Sequence, residues 1–460
     1  MNPHIFRKYD IRGVVGTDLT PAIVEQIGKA LGTVARRRDV KRFGLGRDCR
    51  LHSPELRDAL VSGLVSCGLE VLDLGMVPTP LLYFAVFHLK LGGGVMITGS
   101  HNPPEFNGFK MMLGEGTIHG EAIEALKGLI EKGDFERCEP GESGQVREVN
   151  IIDPYVDFVV ENIDLGPWPK SRPLKVVVDG GNGVGAFIAL PVLERLGCEV
   201  VPMYVEPDGR FPNHHPDPAK AKNLAELIEK VRGEGADLGV AYDGDGDRIG
   251  VVDDKGQIVW GDRLMILLSR ALLEEVPGAT IVAEVKCSQT LFDDISDHGG
   301  VPIMWKVGHS LIKSKMRQTG ALLAGEMSGH IFFKHRYFGF DDAIYATARL
   351  VELLTRSGQE LSAALTDVPT TYATDELRLE VDEDKKFPAA QAIAADLKAT
   401  HEVVDIDGVR VIFEDGWGLI RASNTQPALV LRAEAQSPAR RDAIEAMLRQ
   451  RISAAIAALE

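Results

Sequence analysis

Short apolar segments that end in glycine-rich or acidic loops alternate with amphipathic helices, and this alternation limits the fold more than any other feature of the sequence. Three such segments stand out, LKVVVDGGNGVG, ADLGVAYDGDGDR and ATIVAEVKCS, at residues 174–185, 236–248 and 279–288. Alternating strands and helices are typical of α/β proteins with parallel sheets. Such sheets bind ligands at the carboxyl ends of their strands. The pattern therefore indicates related α/β units in series, with chemistry in the loops.

Local signals support this fold class at both ends of the chain. Thr20 and Ser437 are predicted helix N-caps, and each precedes a proline at the first helical position. Further strands are expected at residues 43–46, 71–74 and 95–98, with a helix beginning at Ser53. Breaks in the pattern fall in GPWPKSRP at residues 166–173, near residues 254–261, and in DVPTTYAT at residues 367–374.

Composition excludes several functional classes. The 460 residues include 51 Lys and Arg against 67 Asp and Glu, a net charge of −16, which argues against a nucleic-acid-binding protein. The five cysteines are scattered and none is spaced as CxxC, which favours a reducing compartment without a zinc site or disulfide framework. No apolar run is long enough for a membrane helix and no secretory signal is visible. We therefore expect a soluble cytoplasmic protein without a membrane or nucleic-acid partner.

The segment DGDGDR at residues 243–248 predicts a metal site. In locally extended backbone, Asp243, Asp245 and Asp247 point the same way. Carboxylate oxygens favour Mg²⁺ or Ca²⁺ over zinc. An EF-hand is excluded because Arg248 replaces the turn glycine, Asp254 replaces the final glutamate, and the preceding element is a strand.

Three other segments combine groups that bind phosphate or sugar. TGSHNPPEFNGFK at residues 98–110 places Ser100 among polar groups, and without a GxSxG elbow it does not indicate a hydrolase. A serine that carries a phosphoryl group beside the metal site accounts better for both motifs. RASNTQP at residues 421–427 suits an anion, because arginine forks onto phosphate oxygens. GEMSGH at residues 325–330 suits vicinal sugar hydroxyls.

Together with FRKYDIRG at residues 6–13, these ordered motifs resemble the α-D-phosphohexomutase superfamily, and their wording is most similar to its phosphomannomutase/phosphoglucomutase branch. In GEMSGH, Met327 stands where the glucosamine branch more often has glutamine. The resemblance implies three related α/β domains in series and a smaller C-terminal α+β domain around a central cleft. The expected domains are residues 1–152, 153–255, 256–368 and 369–460.

The resemblance also implies roles for individual residues. Ser100 is expected to carry the transferred phosphoryl group and, with Asp243, Asp245 and Asp247, to bind one Mg²⁺ per chain. Glu326 and Ser328 would bind sugar hydroxyls, and the distal phosphate would be bound by Arg421, Ser423, Asn424 and Thr425. Further substrate-binding positions are Tyr9, His101, Lys286 and Gly308. Catalytic positions besides Ser100 are Arg12, Lys110, Arg248, His309 and His330.

The implied reaction interconverts hexose 1-phosphates and 6-phosphates of mannose, glucose or both. The phosphoserine donates to the sugar, the 1,6-bisphosphate intermediate turns around in the cleft, and a phosphoryl group returns to Ser100. Arg248, Lys110 and Arg12 are the cations expected to balance three aspartates and a phosphoserine. His309 is the first candidate for proton transfer, followed by His330 and Lys110. Glucose 1,6-bisphosphate is the expected activator that phosphorylates Ser100, and the protein is expected to be a monomer or weak homodimer.

Two alternatives remain at this stage. Because an apolar strand precedes Asp243, the chain could be a haloacid-dehalogenase-type phosphatase or mutase phosphorylated on that residue. This hypothesis leaves TGSHNP without a role. A non-catalytic sugar-phosphate-binding paralogue is the other alternative, and the intact Ser100 and aspartate triad argue against it.

Overall fold

The described part of the chain forms four β-sheets that follow one another in sequence. The computed structural model describes residues 1–138, 144–166, 168, 170, 172–423 and 427–459. In this article, residues 1–368 are called the N-terminal body and residues 369–459 the C-terminal unit. The first three sheets belong to the N-terminal body and are mixed, and the fourth belongs to the C-terminal unit.

The first sheet has the order β1-β5-β4-β2-β3-β7, with β6 paired to β5. Its elements are β1 (Ile11–Val14), α1 (Pro21–Arg36), β2 (Arg42–Arg47), α2 (Ser53–Ser66), β3 (Glu70–Met76), α3 (Thr79–His88), β4 (Gly93–Ile97), β5 (Phe106–Leu113), β6 (Gly116–Thr117), α4 (Glu121–Lys132) and β7 (Gln145–Glu148). The predicted cap of α1 is present, because the Thr20 side chain accepts a hydrogen bond from the Ile23 backbone N–H.

The second sheet has the order β12-β11-β10-β8-β9 and the third has the order β14-β13-β15-β16-β17. The unit of the second sheet consists of α5 (Ile152–Glu161), β8 (Lys175–Asp179), α6 (Ala186–Arg195), β9 (Glu199–Met203), α7 (Ala225–Glu234), β10 (Leu238–Tyr242), β11 (Ile249–Asp253) and β12 (Ile258–Val259). The unit of the third sheet consists of α8 (Gly261–Glu275), β13 (Thr280–Glu284), α9 (Gln289–Asp297), β14 (Val301–Trp305), α10 (His309–Thr319), β15 (Leu323–Gly325), β16 (Ile331–Phe333), β17 (Phe340–Asp341) and α11 (Ala343–Ser357).

One strand arrangement recurs in these three sheets. Three parallel strands are followed by an antiparallel one, in the orders β3-β2-β4-β5, β9-β8-β10-β11 and β14-β13-β15-β16. The loops after β4, β10 and β15 therefore leave their sheets at equivalent positions. They are the TGSHNP, DGDGDR and GEMSGH loops.

The fourth sheet is antiparallel, with the order β18-β23-β22-β21-β20 and β19 paired to β23. Its elements are β18 (Tyr372–Ala373), β19 (Leu377–Glu380), α12 (Lys386–Lys398), β20 (Val403–Val404), β21 (Val409–Phe413), β22 (Gly416–Ala422), β23 (Ala428–Ala435) and α13 (Pro438–Ala457). Ser437 caps α13 as expected. The predicted architecture, three related α/β units and a smaller α+β unit, is confirmed.

In the described part of the chain, one apolar core cluster joins the three mixed sheets but does not extend into the fourth. One continuous core cluster contains buried residues from all three mixed sheets, from Leu74 to Val368. The C-terminal unit has its own cluster, from Val381 to Ile452, which includes the apolar stripe of α13. Among the described residues, no helix combines the length and hydropathy needed to span a bilayer.

Candidate active site

Ser100 and the aspartate loop meet although they come from different sheets. Ser100 is buried, and its Oγ donates a 2.8 Å hydrogen bond to Oδ2 of Asp243. The Ser100 Oγ also lies 3.2 Å from Nδ1 of His101. A Cβ on Gly244 would lie 2.4 Å from the Ser100 carbonyl oxygen, so the contact between the two loops requires glycine there. The predicted phosphoserine and metal loops therefore form one site.

Arg50 holds the Ser100 loop in place. Its guanidinium is fully buried and donates hydrogen bonds to four carbonyl oxygens of this loop, those of Ser100, Asn102, Pro103 and Phe106. Asp48 accepts from the Gly99 backbone N–H at 3.1 Å and pairs with Arg50 at 3.2 Å. Ser100 has a φ of +47°, a left-handed conformation that is uncommon for non-glycine residues. The surrounding contacts hold the serine in this conformation.

The three aspartates can hold a metal ion. Asp243, Asp245 and Asp247 are fully buried, and one carboxylate oxygen from each lies within 4.8 Å of the others. Oδ1 of Asp245 and Oδ1 of Asp247 have no hydrogen-bond partner among the described residues. Buried polar atoms normally have partners, so these two oxygens are suited to coordinate a cation. Their all-oxygen chemistry fits Mg²⁺.

Lys110 and Arg248 partly neutralise the triad. Lys110 Nζ donates to Oδ2 of Asp245 at 2.6 Å and to Oδ2 of Asp247. Burial alone would raise the pKa of Asp245, but Lys110 outweighs it and holds that pKa well below its usual range. Burial, reinforced by the other two aspartates, raises the pKa of Asp243 to about 7. Arg248 Nε donates to Asp243 Oδ2 at 3.2 Å and limits this rise.

Arg12 reaches the same loop from β1. Its Nη1 donates to Asn102 Oδ1 at 2.6 Å and to the Gly99 carbonyl oxygen at 3.4 Å. Its Nη2 donates to Asp10 Oδ2 at 2.6 Å. Among the described residues, three of the predicted cations, Arg12, Lys110 and Arg248, therefore surround the Ser100 and aspartate loops.

His330, the last residue of the GEMSGH sugar loop, faces Asp247 of the DGDGDR metal loop. Its Nδ1 is 3.0 Å from Asp341 Oδ2 and 3.7 Å from Asp247 Oδ1, and its Nε2 is 4.0 Å from Glu326 Oε2. Although burial opposes protonation, Asp247 and Asp341 raise the pKa of His330 to about 9. His309 stacks on His330 with ring centroids 5.6 Å apart. Burial, reinforced by Lys313, holds the pKa of His309 well below its usual range.

The sugar loop is fastened to its surroundings through Glu326. Its Oε1 accepts a 2.6 Å hydrogen bond from the Gly308 N–H, and its Oε2 accepts from Ser328 Oγ at 3.4 Å. Gly308 has a φ of +128°, and a Cβ there would lie 2.7 Å from the Tyr9 ring. Tyr9 donates its hydroxyl to the Val307 carbonyl oxygen at 3.0 Å. Tyr9, Gly308, Glu326 and Ser328 thus lie close together in the structure.

Arg421, one of the predicted phosphate-binding residues of the C-terminal unit, is linked through Asp407 to Val307 beside Gly308. Arg421 Nε donates to Asp407 Oδ2 at 3.1 Å, and this oxygen also accepts from the Val307 N–H at 3.1 Å. Ser423 is buried, and its N–H donates to the Ala428 carbonyl oxygen at 2.9 Å. Asn424 and Thr425 lie outside the described residues. Lys286 Nζ is 2.9 Å from Glu376 Oε2 of the C-terminal unit and 3.5 Å from Glu284 Oε1.

Sequence reasoning missed several charged residues of the site, namely Asp48, Arg50, Glu284, Lys313, Asp341 and Glu376. Asp48 and Arg50 directly follow β2, and Glu284 is the last residue of β13. Their position at carboxyl strand ends was the available signal. Glu284 accepts a 2.9 Å hydrogen bond from the Met327 N–H and so supports the sugar loop. Burial, only partly offset by Lys286, raises the pKa of Glu284 to about 7.

Comparison with known proteins agrees with this arrangement. Four family models match in order: phosphoglucomutase/phosphomannomutase alpha/beta/alpha domain I over residues 3–137, domain II over 153–256, domain III over 260–372, and the C-terminal domain over 376–451. A phosphomannomutase/phosphoglucomutase from Pseudomonas aeruginosa is 48% identical over 451 residues, which cover 98% of this chain and 96% of that protein.

Solved structures show the same relationship. A phosphoglucomutase/phosphomannomutase family protein from Burkholderia thailandensis is 44% identical, with a TM-score of 0.91 and coverage of 98% of this chain and 97% of that one. An N-acetylphosphoglucosamine mutase from Aspergillus fumigatus, solved with GlcNAc-6P and magnesium, shares the fold at 15% identity and a TM-score of 0.60, over 98% and 96% of the two chains.

These findings favour the mutase interpretation over both alternatives. A haloacid-dehalogenase-type enzyme would use Asp243 as its nucleophile, whereas here Asp243 belongs to the buried triad and accepts from Ser100. The full-length relatives are mutases, an isomerase class, and none of those described above is named as a binding protein. The predicted resemblance is confirmed, and the chain belongs to the phosphoglucomutase/phosphomannomutase family of phosphohexomutases.

Proposed function

We propose that this enzyme interconverts hexose 1-phosphates and hexose 6-phosphates, of mannose, glucose or both, through a phosphoserine at Ser100. The observation that carries the proposal is the 2.8 Å hydrogen bond from Ser100 Oγ to Asp243 of the triad. This contact joins a hydroxyl nucleophile to a cation-binding carboxylate inside a buried cleft. Phosphoryl transfer depends mainly on such positioning and charge stabilisation.

Asp243, Asp245 and Asp247 would hold one Mg²⁺ together with an oxygen of phosphorylated Ser100. The two unpartnered aspartate oxygens and the absence of nitrogen or sulfur among these ligands support this choice. When bound, Mg²⁺ supplies charge stabilisation to the transferring phosphoryl group. The remaining positive charge comes from three cations. Lys110 and Arg248 donate hydrogen bonds to Asp245 and Asp243, and Arg12 donates one to Asn102 in the Ser100 loop.

In the first half-reaction, the bond between phosphorus and Ser100 Oγ breaks while a bond forms between phosphorus and a sugar hydroxyl oxygen. The proton of that hydroxyl goes to neutral His330, which we favour over His309; Mg²⁺ on Asp247 would cancel the largest of the charges that raise the pKa of His330. His330 is within 4.0 Å of Glu326 and 3.7 Å of Asp247, so it lies between sugar and metal residues. The bisphosphate then turns around and returns a phosphoryl group to Ser100, and His101 beside Ser100 contributes to binding it.

The sugar is proposed to bind through Glu326 and Ser328, and Tyr9, Gly308, His309 and Lys286 form the surrounding wall. The phosphate that is not transferred would bind Arg421, Ser423, Asn424 and Thr425. Arg421 is paired with Asp407 in the structure, so the incoming phosphate would replace or share that carboxylate. Contacts at one sugar face serve both orientations of the substrate, which is what a reorienting intermediate requires.

We further propose that hexose phosphates are the only partners needed, with glucose 1,6-bisphosphate as the activator that phosphorylates Ser100. The five cysteines are free, in keeping with a cytoplasmic enzyme. The protein is proposed to be a monomer or weak homodimer without nucleic-acid or membrane partners. Its domain boundaries are proposed to lie at residues 152/153, 255/256 and 368/369. Strand β12 (Ile258–Val259) pairs with β11 just past the second of these divisions.

The test is to incubate the protein with Mg²⁺ and glucose 1,6-bisphosphate and to map the phosphoryl group by peptide mass spectrometry. The labelled protein is then chased with mannose 1-phosphate or glucose 1-phosphate. We expect phosphate on Ser100 that leaves during either chase, and the chase rates rank the two sugars. Phosphate on Asp243, or no label in a protein that still binds the sugars, would contradict the proposal. Ser100→Ala is the matched control and should stay unlabelled.

A further inference from the structure

Two further unpartnered atoms lie beside the aspartate triad and share Asp247 Oδ1 with it. Asp247 Oδ1, His330 Nδ1 and Asp341 Oδ2 are buried and have no hydrogen-bond partner among the described residues. They all lie within 4.8 Å of one another. Burying a polar atom without a hydrogen bond costs free energy, so three such atoms this close together are suited to hold a ligand.

The spacing of these atoms fits a small divalent cation. His330 Nδ1 is 3.0 Å from Asp341 Oδ2 and 3.7 Å from Asp247 Oδ1. Tetrahedral zinc with bonds of about 2.0–2.2 Å places neighbouring ligand atoms roughly 3.3–3.5 Å apart. One imidazole and two carboxylates leave the fourth position open, as in many zinc sites that also bind water or substrate.

The protein orients these ligands through neighbouring contacts. Lys313 Nζ donates to Asp341 Oδ1 at 2.8 Å, and Lys110 binds Asp247 Oδ2, so each carboxylate turns its other oxygen toward His330. His330 directly precedes β16, and Asp341 lies in β17, opposite Phe332 of β16. Supporting contacts of this kind are typical of metal ligands. His330 Nδ1 and Asp341 Oδ2, 3.0 Å apart, form an ion pair when the imidazole is protonated, and a divalent cation would replace that proton and also engage Asp247 Oδ1.

We propose that Asp247, His330 and Asp341 form a second divalent-cation site that prefers Zn²⁺ or Co²⁺ over Mg²⁺. Imidazole suits zinc and cobalt, whereas Mg²⁺ takes oxygen ligands almost exclusively. The site shares Asp247 with the triad and occupies His330, so a cation bound there inhibits turnover. This inhibitory effect rests on the proposed function, whereas binding itself does not.

The binding test uses Co²⁺, whose visible absorption is strong in tetrahedral sites and weak in octahedral oxygen sites. The full-length protein is titrated with Co²⁺ in excess Mg²⁺, which keeps the triad filled. We expect an intense visible band that saturates at one Co²⁺ per chain. Asp341→Asn, which retains an oxygen for Lys313, should weaken Co²⁺ binding about 10–100-fold. Asp245→Asn, which changes a triad residue that is not a ligand of the second site, should keep the band and lose Mg²⁺ affinity.

Several outcomes would overturn the site. These are a wild-type protein without the band, a band that persists in Asp341→Asn, or a band that disappears in Asp245→Asn. Circular dichroism and Mg²⁺ affinity establish that Asp341→Asn is folded, and His330→Gln provides a second variant if it is not.

Inhibition is measured separately, with Zn²⁺ added to Mg²⁺-saturated enzyme. Half-inhibition of Asp341→Asn, relative to its own rate, should require about 10–100-fold more Zn²⁺ than the wild type. A protein that shows the cobalt band but no mutase turnover would contradict the proposed function and would still support the second metal site. Equal zinc sensitivity of both proteins would defeat the inhibitory role.

Discussion

The N-terminal body and the C-terminal unit contribute to one cleft but are held together differently. All three mixed sheets of the body share one apolar core. The C-terminal unit has a separate core and contacts the body through a small cluster of Val285, Trp417 and Leu419 and through polar contacts. The fully buried Arg410 donates to the carbonyl oxygens of Val285 and Cys287 at 2.7 and 2.9 Å.

The two kinds of packing suit two different tasks of the cleft. Ser100 and the triad need fixed positions for phosphoryl transfer, and the shared core with the Arg50 contacts provides them. The distal phosphate site must admit, turn and release a substrate. An interface of polar contacts can open at smaller cost than a shared apolar core. We therefore expect the C-terminal unit to move on the body, and each prediction below tests that contrast.

The largest expected effect is a loss of turnover when the aspartate triad of the N-terminal body is altered. Asp245→Asn removes one carboxylate of the triad and weakens the Lys110 contact. We expect kcat to fall by about 10³-fold, because electrostatic stabilisation of the transferring group is lost. Binding of glucose 1-phosphate, measured by calorimetry, should change only a fewfold because the C-terminal contacts remain. A loss of binding as large as the loss of turnover would remove the proposed division between the two regions.

Arg50→Lys is expected to have the next largest effect. Lysine keeps the charge but cannot reach four carbonyl oxygens at once, so the Ser100 loop should lose its fixed conformation. We predict a fall in kcat of about 10²-fold with little change in KM. Arg410→Lys, at an equally buried arginine of the domain interface, is the control and should affect KM more than kcat. The same kinetic defect in both variants would contradict the comparison.

Core truncation should separate the two parts in unfolding experiments. Ile188→Ala in the shared core and Ile444→Ala in the C-terminal core each remove a fully buried side chain. Each should lower the free energy of unfolding by about 2–4 kcal/mol, but of different regions. Hydrogen exchange detected by mass spectrometry should show Ile444→Ala loosening only residues of the C-terminal unit. Equal loosening of the body would indicate a single cooperative structure.

The smallest expected effect concerns the Lys286–Glu376 pair. Burial alone would raise the pKa of Glu376, but Lys286 and Arg378 outweigh it and lower that pKa to about 2. Because the folded pKa is below the ordinary 4.5, the pair stabilises docking above pH 4.5, and this contribution is lost as the pH falls toward 2. Glu376→Gln should therefore weaken docking by about 1 kcal/mol at neutral pH and much less in acid.

Small-angle scattering measures this effect as the radius of gyration of the substrate-free protein at neutral and acidic pH. The exposed Glu380 offers a matched control as Glu380→Gln, which should behave as the wild type. Identical scattering of all three proteins at neutral pH would show that this ion pair does not hold the C-terminal unit closed.

The features that could be predicted best from the sequence are those that belong to local motifs. The positions of Ser100, the triad and the sugar loop after apolar strands could be predicted, and the structure places them at equivalent strand ends. Sequence reasoning failed for Arg50, whose partners at residues 100–106 are distant in sequence. The sequence places His309 before His330 as the candidate for proton transfer; we propose the opposite order from the approach of His330 to Asp247 and Glu326, which depends on packing between sheets.

The fold class, the order of the motifs and the chemistry of each loop follow from the amino-acid sequence. Periodic apolar residues, caps and glycines act within a few residues of one another, so their consequences are local. Tertiary structure alone decided which charges face each other: Arg50 with the Ser100 loop, Asp341 with His330, and Glu376 with Lys286. Such pairings depend on how separate sheets dock, because electrostatic interactions are decided by distance in space rather than along the chain.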